Sequence, residues 1–154
     1  MSESTKLLQA EIIADEQAIA RLYELLAKIW DTLDSPEQTI VAGYYLHNLY
    51  MAFEHIFERV AETFENQIAD KSQWHAQLLR RMTLDVPGMR PRLISDNAHE
   101  CLDELRRFRH VFRSAYTVSL DKDRLQLVIQ RVQRLQTLYP DELAQFQKFL
   151  DQLA

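Results

Sequence analysis

The sequence predicts an all-α protein, a single up-and-down bundle of four to five helices. Its 154 residues include only two glycines and four prolines, too few turn residues for a β-rich domain of this length. Apolar residues recur at steps of three and four over long stretches, which is typical of helices that bury one face. The breaks between these stretches are short and contain good helix caps. Short breaks favour neighbouring helices packed side by side.

The first two helices are predicted over residues 3–33 and 36–70. Ser35 is a good N-cap, and Gln38 three residues later completes a capping-box signature. Gly43 inside the second helix costs about 1 kcal/mol relative to alanine. It is therefore either a tolerated glycine or a point where another helix approaches closely. The predicted buried stripes are Leu8, Ile12, Ile19, Leu22, Leu26, Trp30 and Leu33, then Val41, Leu46, Leu49, Phe53, Ile56, Phe57, Val60, Phe64 and Ile68, with Tyr44, Tyr45 and Tyr50.

The middle of the chain alternates between a short helix and a loop. Residues 72–84 have an amphipathic pattern, whereas two prolines and a glycine forbid continuous helix over residues 86–92. Asn97 with Glu100 resembles a capping box, so a third long helix is expected to begin near Ala98. The candidate N-caps are Ser95, Asp96 and Asn97.

A turn at residues 119–121 precedes another helix, which begins at about Lys122. Pro140 opens a final helical segment, either a separate helix or a kinked continuation. The chain contains no internal repeat, no low-complexity segment and no linker long enough to divide it. Residues 1–154 are therefore predicted to form a single domain.

Composition limits the function classes. The net charge of −5 argues against a protein that coats polyanions generally, so a nucleic-acid contact should be local. Cys101 is the only cysteine, which excludes an intrachain disulfide and a thiolate metal cage and fits a reducing cytosol. The N-terminus lacks a signal-peptide pattern, and no apolar run approaches about 20 residues. We expect a soluble cytoplasmic protein without a membrane partner.

Several chemical motifs are missing. The histidines do not form the Glu-x-x-His pairs of di-iron bundles or a His-Glu-x-x-His motif, which favours surface or packing roles. Two glycines cannot supply a Walker A loop or a dinucleotide fingerprint, and no serine nucleophile elbow is present. The expectation is therefore no metal and no cofactor. The histidines are His47, His55, His75, His99 and His110.

The stretch 105–116 concentrates four arginines, a histidine and a tyrosine in an acidic chain. Its apolar residues, at steps of three and four, predict an amphipathic helix. Guanidinium forks bind phosphate oxygens and stabilise developing negative charge, and His110 could transfer a proton near neutral pH. The alternative is a solvated basic face neutralised by Asp103, Glu104 and neighbouring helices. The side chains expected on one side are Arg106, Arg109, Arg113 and Tyr116.

The run from Arg109 to Tyr116 resembles the Arg-x4-His-x-Tyr motif of HEPN domains, especially the HepT-like ribonuclease toxins. Other segments, in the same order, are similar to a HepT-like subgroup over about residues 40–120. They are Leu46 to Tyr50, Phe53 to Phe57, Trp74-His75, Arg90-Pro91 and Leu102 to His110.

This resemblance implies an all-α bundle that forms a homodimer, with the motif cleft at the dimer interface. It implies metal-independent cleavage of RNA and a minimal nucleotidyltransferase antitoxin encoded nearby. In some relatives that antitoxin adds AMP to the motif tyrosine. The motif arginine would be Arg109, and Tyr116 would be the motif tyrosine and the modification site.

The chain departs from the motif at Ser114, where the histidine is expected. A serine cannot act as a general base with a pKa near 7. His110 is the obvious substitute, with Arg113 supporting charge, although it lies about 6 Å away along the axis. Five residues turn a helix by about 140°, so Arg109 and Ser114 would not share a face of one straight helix.

Three hypotheses follow from the sequence. The first is a toxin-like endoribonuclease with Arg109, His110, Arg113 and Ser114 at its catalytic site. The second is a catalytically degenerate HEPN protein that binds RNA, a nucleotide or a partner protein without cleavage. The third is a regulatory bundle whose basic face is only solvated. The candidate RNA-binding residues are Arg106, Arg107, Arg109, Arg113 and Tyr116.

Overall fold

Five helices make up the part of the chain that the computed structural model describes, namely residues 2–65, 74–114 and 120–153. Within these ranges a single isolated antiparallel bridge, between Val86 and Arg90, is the only β pairing. The all-α prediction is therefore confirmed. The helices are α1 (Glu3–Ala27), α2 (Pro36–Phe64), α3 (Trp74–Arg81), α4 (Asp96–Ser114) and α5 (Lys122–Gln152).

Helix α2 is the central element, since it contacts each of the other four helices. Helix α1 packs mainly along α2, while α4 packs against both α2 and α5. Buried side chains from all five helices form a connected apolar core. In that core the Tyr23 hydroxyl donates to the carbonyl of Val132 at 2.7 Å, and its ring stacks on Tyr139 with centroids 5.7 Å apart. These contacts tie α1 to α5.

The predicted end of the first helix is wrong, because α1 ends at Ala27 and not at residue 33. The carbonyl of Leu26 accepts hydrogen bonds from the backbone of both Ile29 and Trp30, which closes a tight turn. Leu33 is nevertheless buried. The apolar spacing continued past the helix because the connection to α2 also packs on the core.

The buried stripe of α2 is only partly as predicted. Val41 and Tyr44 are exposed, Tyr44 by 56%, so their assignment to the core was wrong. The other predicted residues from Leu46 through Val60 are buried, as is Tyr50, and Tyr45 is half-buried. The helix ends at Phe64. The last part of the predicted helix, residues 66–70, lies outside the described residues.

Two N-caps fix the starts of the long helices. Ser35 accepts from the backbone N–H of Gln38 at 3.2 Å, which confirms the predicted cap of α2. Ser95 caps α4 by accepting from the N–H of Ala98 at 3.1 Å, and it also bonds to Glu142 of α5. Helix α4 therefore begins at Asp96, two residues earlier than expected, and the predicted capping box with Asn97 as its cap was wrong.

Two further boundaries differ from expectation. Helix α3 ends at Arg81, three residues before its predicted end, and its predicted first residues, 72 and 73, lie outside the described part. Helix α5 continues through Pro140 as one helix. Proline removes a backbone hydrogen bond, but buried Tyr139 and Leu143 on either side anchor the helix to the core. Tertiary packing thus outweighs the local cost.

Gly43 of α2 is a point of close approach, the second of the two alternatives for this residue. A Cβ atom there would lie 2.6 Å from Cε1 of Phe112 and 3.0 Å from Cδ1 of Leu120. No real side chain tolerates the shorter distance without a shift of its neighbour. The glycine therefore lets the last turn of α4 lie directly on α2.

Arg90 organises the loop between α3 and α4. Its side chain is fully buried and donates five hydrogen bonds, two to the carboxylate of Glu65 and three to backbone carbonyls. All five of its N–H donors are thus satisfied. The accepting carbonyls belong to Arg81, Leu84 and Pro91.

None of the helices in the described ranges is long and apolar enough to cross a membrane.

Candidate functional site

The site lies where the C-terminal half of α4 crosses α2, and Arg109 is at its centre. Arg109 is only 9% exposed, although guanidinium groups are rarely buried without a partner. Its Nε donates to the sulfur of Met51 at 3.1 Å, and thioether sulfur is a weak acceptor. Among the described residues no carboxylate forms an ion pair with Arg109. The guanidinium charge is therefore buried without an opposite charge in contact.

The neighbouring arginines are paired within their own helix. Arg106 contacts the carboxylate of Asp103 at 2.9 Å, and Arg107 contacts Asp103 at 2.9 Å and Glu104 at 3.8 Å. These pairs follow the i,i+3 and i,i+4 spacings of a helix. Arg106 and Arg107 thus form the ion pairs with Asp103 and Glu104 that a neutralised basic face would contain.

The other predicted site residues occupy the end of α4. Arg113 is exposed, and within the described ranges it forms no ion pair with a carboxylate. His110 is also exposed, one residue after Arg109. Ser114 is the last described residue of α4, and Tyr116 lies outside the described residues. The structure thus brings Arg109 and Arg113 together on α4 and gives no placement for the motif tyrosine.

His47 of α2 completes the site, and the sequence reasoning missed it. Its ring centroid lies 5.9 Å from that of Phe112. Its Nδ1 atom is buried and has no hydrogen-bond partner among the described residues. Burial, together with the charges of Arg109 and Arg113, lowers the pKa of this imidazole from its usual value. Burial and the two cations therefore both favour the neutral form of His47.

A sequence signal for His47 existed but was weak. His47 lies one helical turn before Met51 and two turns before Glu54, so the three share a side of α2. Nothing in the sequence shows that this side faces α4. That information comes from the crossing of the two helices, which Gly43 allows.

A second group of polar residues continues from His47 along α2. Glu54 is 4% exposed, and its two carboxylate oxygens lie 3.0 and 2.9 Å from Nδ1 of His75 on α3. One turn earlier, burial and the Glu54 charge raise the pKa of the Tyr50 phenol far above its ordinary value. The charges of Arg106 and Arg109 oppose that shift. Glu54 thus pairs with His75 and forms no ion pair with Arg109 among the described residues.

The five helices, with no strand among the described residues, are consistent with the HEPN-like bundle that the resemblance implies. The profile of the HepT-like protein family matches residues 41–150, which span most of α2, all of α3 and α4, and most of α5. The chain therefore belongs to the HepT-like protein family, as the resemblance over Arg109 to Tyr116 predicted. No curated protein and no solved structure gives a significant match.

Proposed function

We propose that this protein is the toxin of a HepT-like HEPN toxin–antitoxin pair and cleaves RNA as a metal-independent endoribonuclease. One observation carries the proposal: the arginine at the motif position, Arg109, is buried and pairs with no carboxylate in the part of the chain that the structure describes. Membership of the HepT-like family is the second support for this proposal. The substrate and the partner are inferred from that family and from the chemistry of the site.

The burial of Arg109 without a carboxylate partner among the described residues carries a free-energy cost. Burying a charge without a counter-charge costs on the order of several kcal/mol. A phosphodiester supplies the missing charge and matches the planar fork of arginine. The exposed guanidinium of Arg113, one turn further along α4, adds a second positive charge. The pair therefore suits a phosphate whose negative charge increases in the transition state.

Cleavage tests this function directly. The purified protein, free of antitoxin, is incubated with mRNA and tRNA in EDTA. We expect cleavage that falls about 10²–10³-fold in Arg109→Ala, the usual loss when one transition-state donor is removed. Arg107→Ala is the matched control, because Arg107 is paired with Asp103 and Glu104. Intact RNA, or equal cleavage by both variants, would rule the proposal out.

The proposed partner is a minimal nucleotidyltransferase encoded beside this chain, and Tyr116 is the proposed site of AMP addition. This proposal rests on family membership and on the motif position of Tyr116. Mass spectrometry of the protein co-expressed with that enzyme should find AMP on Tyr116 and none on Tyr116→Phe. Modification elsewhere would contradict the assignment.

We also propose that the protein acts as a homodimer. Helix α2 exposes an apolar row at its solvent side, and Val111 of α4 is also exposed. The exposed members on α2 are Ile40, Val41, Tyr44 and Met51. Light scattering at micromolar concentration should give twice the mass of one chain, and Tyr44→Glu should lower it. A monomeric wild-type protein would exclude this state.

One observation favours binding without cleavage as a second candidate: Ser114 stands where the motif has histidine. In that case wild-type protein binds RNA but leaves it intact. Ser114→His should then create cleavage, because it restores a group that titrates near neutral pH. Cleavage by wild-type protein that Ser114→His leaves unchanged would exclude this candidate.

A further inference from the structure

We propose that His47 of α2, and not His110 of α4, is the catalytic residue that takes the proton when RNA is cleaved. The inference rests on the proposed ribonuclease function. It assigns a group to the role that Ser114 cannot fill. Three properties of His47 support it: its position, its protonation state and the side of the imidazole that can reach RNA.

The position of His47 is held by packing on both helices. Its ring lies against Phe112 of α4, with centroids 5.9 Å apart, and the charges of Arg109 and Arg113 on the same helix act on it. Phe112 is in turn held close to α2 because Gly43 has no side chain. A proton-transfer group needs this kind of fixed placement beside the reacting phosphate.

The charged groups around His47 favour its neutral form. Burial lowers the imidazole pKa most, and the cations Arg109 and Arg113 of α4 lower it further. The nearest titratable groups on α2 itself are Tyr44, one turn before, and Tyr50, whose phenol stays protonated. At neutral pH His47 is therefore able to accept a proton.

The geometry of the ring assigns the reacting atom. Nδ1 is buried, so Nε2 on the outer edge is the nitrogen that RNA can approach. Nε2 takes the proton of the ribose 2′-hydroxyl, and the 2′-oxygen forms a bond to the adjacent phosphorus. The bond from phosphorus to the 5′-oxygen breaks, and that oxygen takes a proton from water. The hydroxide that remains takes the proton from Nε2, which restores the neutral imidazole. The products are a 2′,3′-cyclic phosphate and a 5′-hydroxyl, while Arg109 and Arg113 stabilise the added negative charge.

His110 is less suited to this role. It is exposed, and a rotation of about 100° around α4 separates it from Arg109. Arg109 itself faces α2 and contacts Met51. His110 is therefore on the solvent side of the helix that carries the motif arginine.

Single-turnover cleavage of a short RNA compares four proteins: wild type, His47→Gln, His110→Gln and the control His55→Gln. His55 is on the same helix but pairs with Asp15 of α1 at 2.6 Å. We expect His47→Gln to lose about 10²–10⁴-fold, as for removal of a general base. The other two variants should stay within about threefold of wild type.

The wild-type rate should fall at acidic pH as His47 is protonated, and the His47→Gln rate should lose that dependence.

Measurements of RNA binding distinguish a variant that has lost the cleavage step from a variant that no longer folds. The Kd for a 2′-deoxy RNA analogue, which cannot react, should change less than about threefold in His47→Gln. If that variant binds poorly, His47→Asn, which keeps a polar atom near the Nδ1 position, replaces it. Full cleavage by a His47 variant while Arg109→Ala is inactive would overturn this inference alone. A large loss in His110→Gln would also overturn it, whereas an inactive wild-type protein would overturn the proposed function.

Discussion

Two buried arginines, Arg90 and Arg109, have opposite environments. Arg90 is completely enclosed, and its donors all meet oxygen acceptors, including the carboxylate of Glu65. Arg109 is nearly as buried, but its observed contact is the sulfur of Met51. Both residues lie in segments that resemble the HepT-like subgroup. The sequence alone does not distinguish their roles.

The difference indicates how to separate a structural arginine from a functional one. A guanidinium with every donor satisfied contributes to the fold and has nothing left for a ligand. A guanidinium buried without a counter-charge is held at an energetic cost that an anion can offset. Arg90 therefore belongs to the architecture of the loop, and Arg109 belongs to the site.

The largest effect on stability is expected at Arg90. Arg90→Ala removes two donors from Glu65 and three from backbone carbonyls, and breaking a buried ion pair costs about 3–5 kcal/mol, although Arg81 stays 3.6 Å from Glu65. Arg109→Ala removes a buried charge that no described carboxylate neutralises, so it should not lower the free energy of unfolding. Urea unfolding measures both, with exposed Arg92→Ala as the neutral control. Equal destabilisation at Arg90 and Arg109 would break the contrast.

A smaller effect is expected at Gly43. Gly43→Ala gains about 1 kcal/mol of helix propensity but places Cβ against Phe112, and overpacking costs about 1–3 kcal/mol. We expect a net loss of about 1 kcal/mol and a clear loss of cleavage, because the end of α4 must move away from His47. Phe112→Leu in the same chain removes the clashing ring edge and should restore stability. If the effects of Gly43→Ala and Phe112→Leu on the free energy of unfolding simply add, the contact between the two residues does not set the spacing of α2 and α4.

The smallest effect is the pH dependence that His47 gives to stability. Its pKa is lowered in the folded protein, so the unfolded chain binds the proton more readily. Wild-type protein should therefore lose stability relative to His47→Gln as the pH falls below about 6.5, the unfolded value, and the two should run parallel above it. Urea unfolding from pH 5 to pH 8 measures this difference. A difference that does not vary with pH would mean that the folded protein does not disfavour the charged imidazole.

Much of the fold could be predicted because local signals mark it. The cap at Ser35 and the long apolar periods of α2, α4 and α5 depend on neighbouring residues only. The wrong predictions concern residues whose burial depends on packing against distant parts of the chain. Leu33 is buried outside any helix, and Tyr44 is exposed because no described element covers that side of α2. Periodicity identifies the apolar faces of a helix but not which of them is covered.

The site was predicted in part for the same reason. The pairing of Arg106 with Asp103 could be read from their spacing, since the two lie one turn apart on one helix. The burial of Arg109 and the placement of His47 depend on contacts between helices far apart in the sequence. A single sequence gives the residue types for these contacts but not their geometry.

The salt dependence of RNA binding tests the central claim, that Arg109 is available to a phosphate, most directly. Binding of the unreactive 2′-deoxy analogue is measured from low to high salt for wild-type protein, Arg109→Ala and Arg107→Ala. Loss of one phosphate contact should lower the slope of log K against log salt by about one in Arg109→Ala, together with the affinity. Arg107→Ala should change the slope much less. Equal slopes and affinities for wild-type protein and Arg109→Ala would contradict the account.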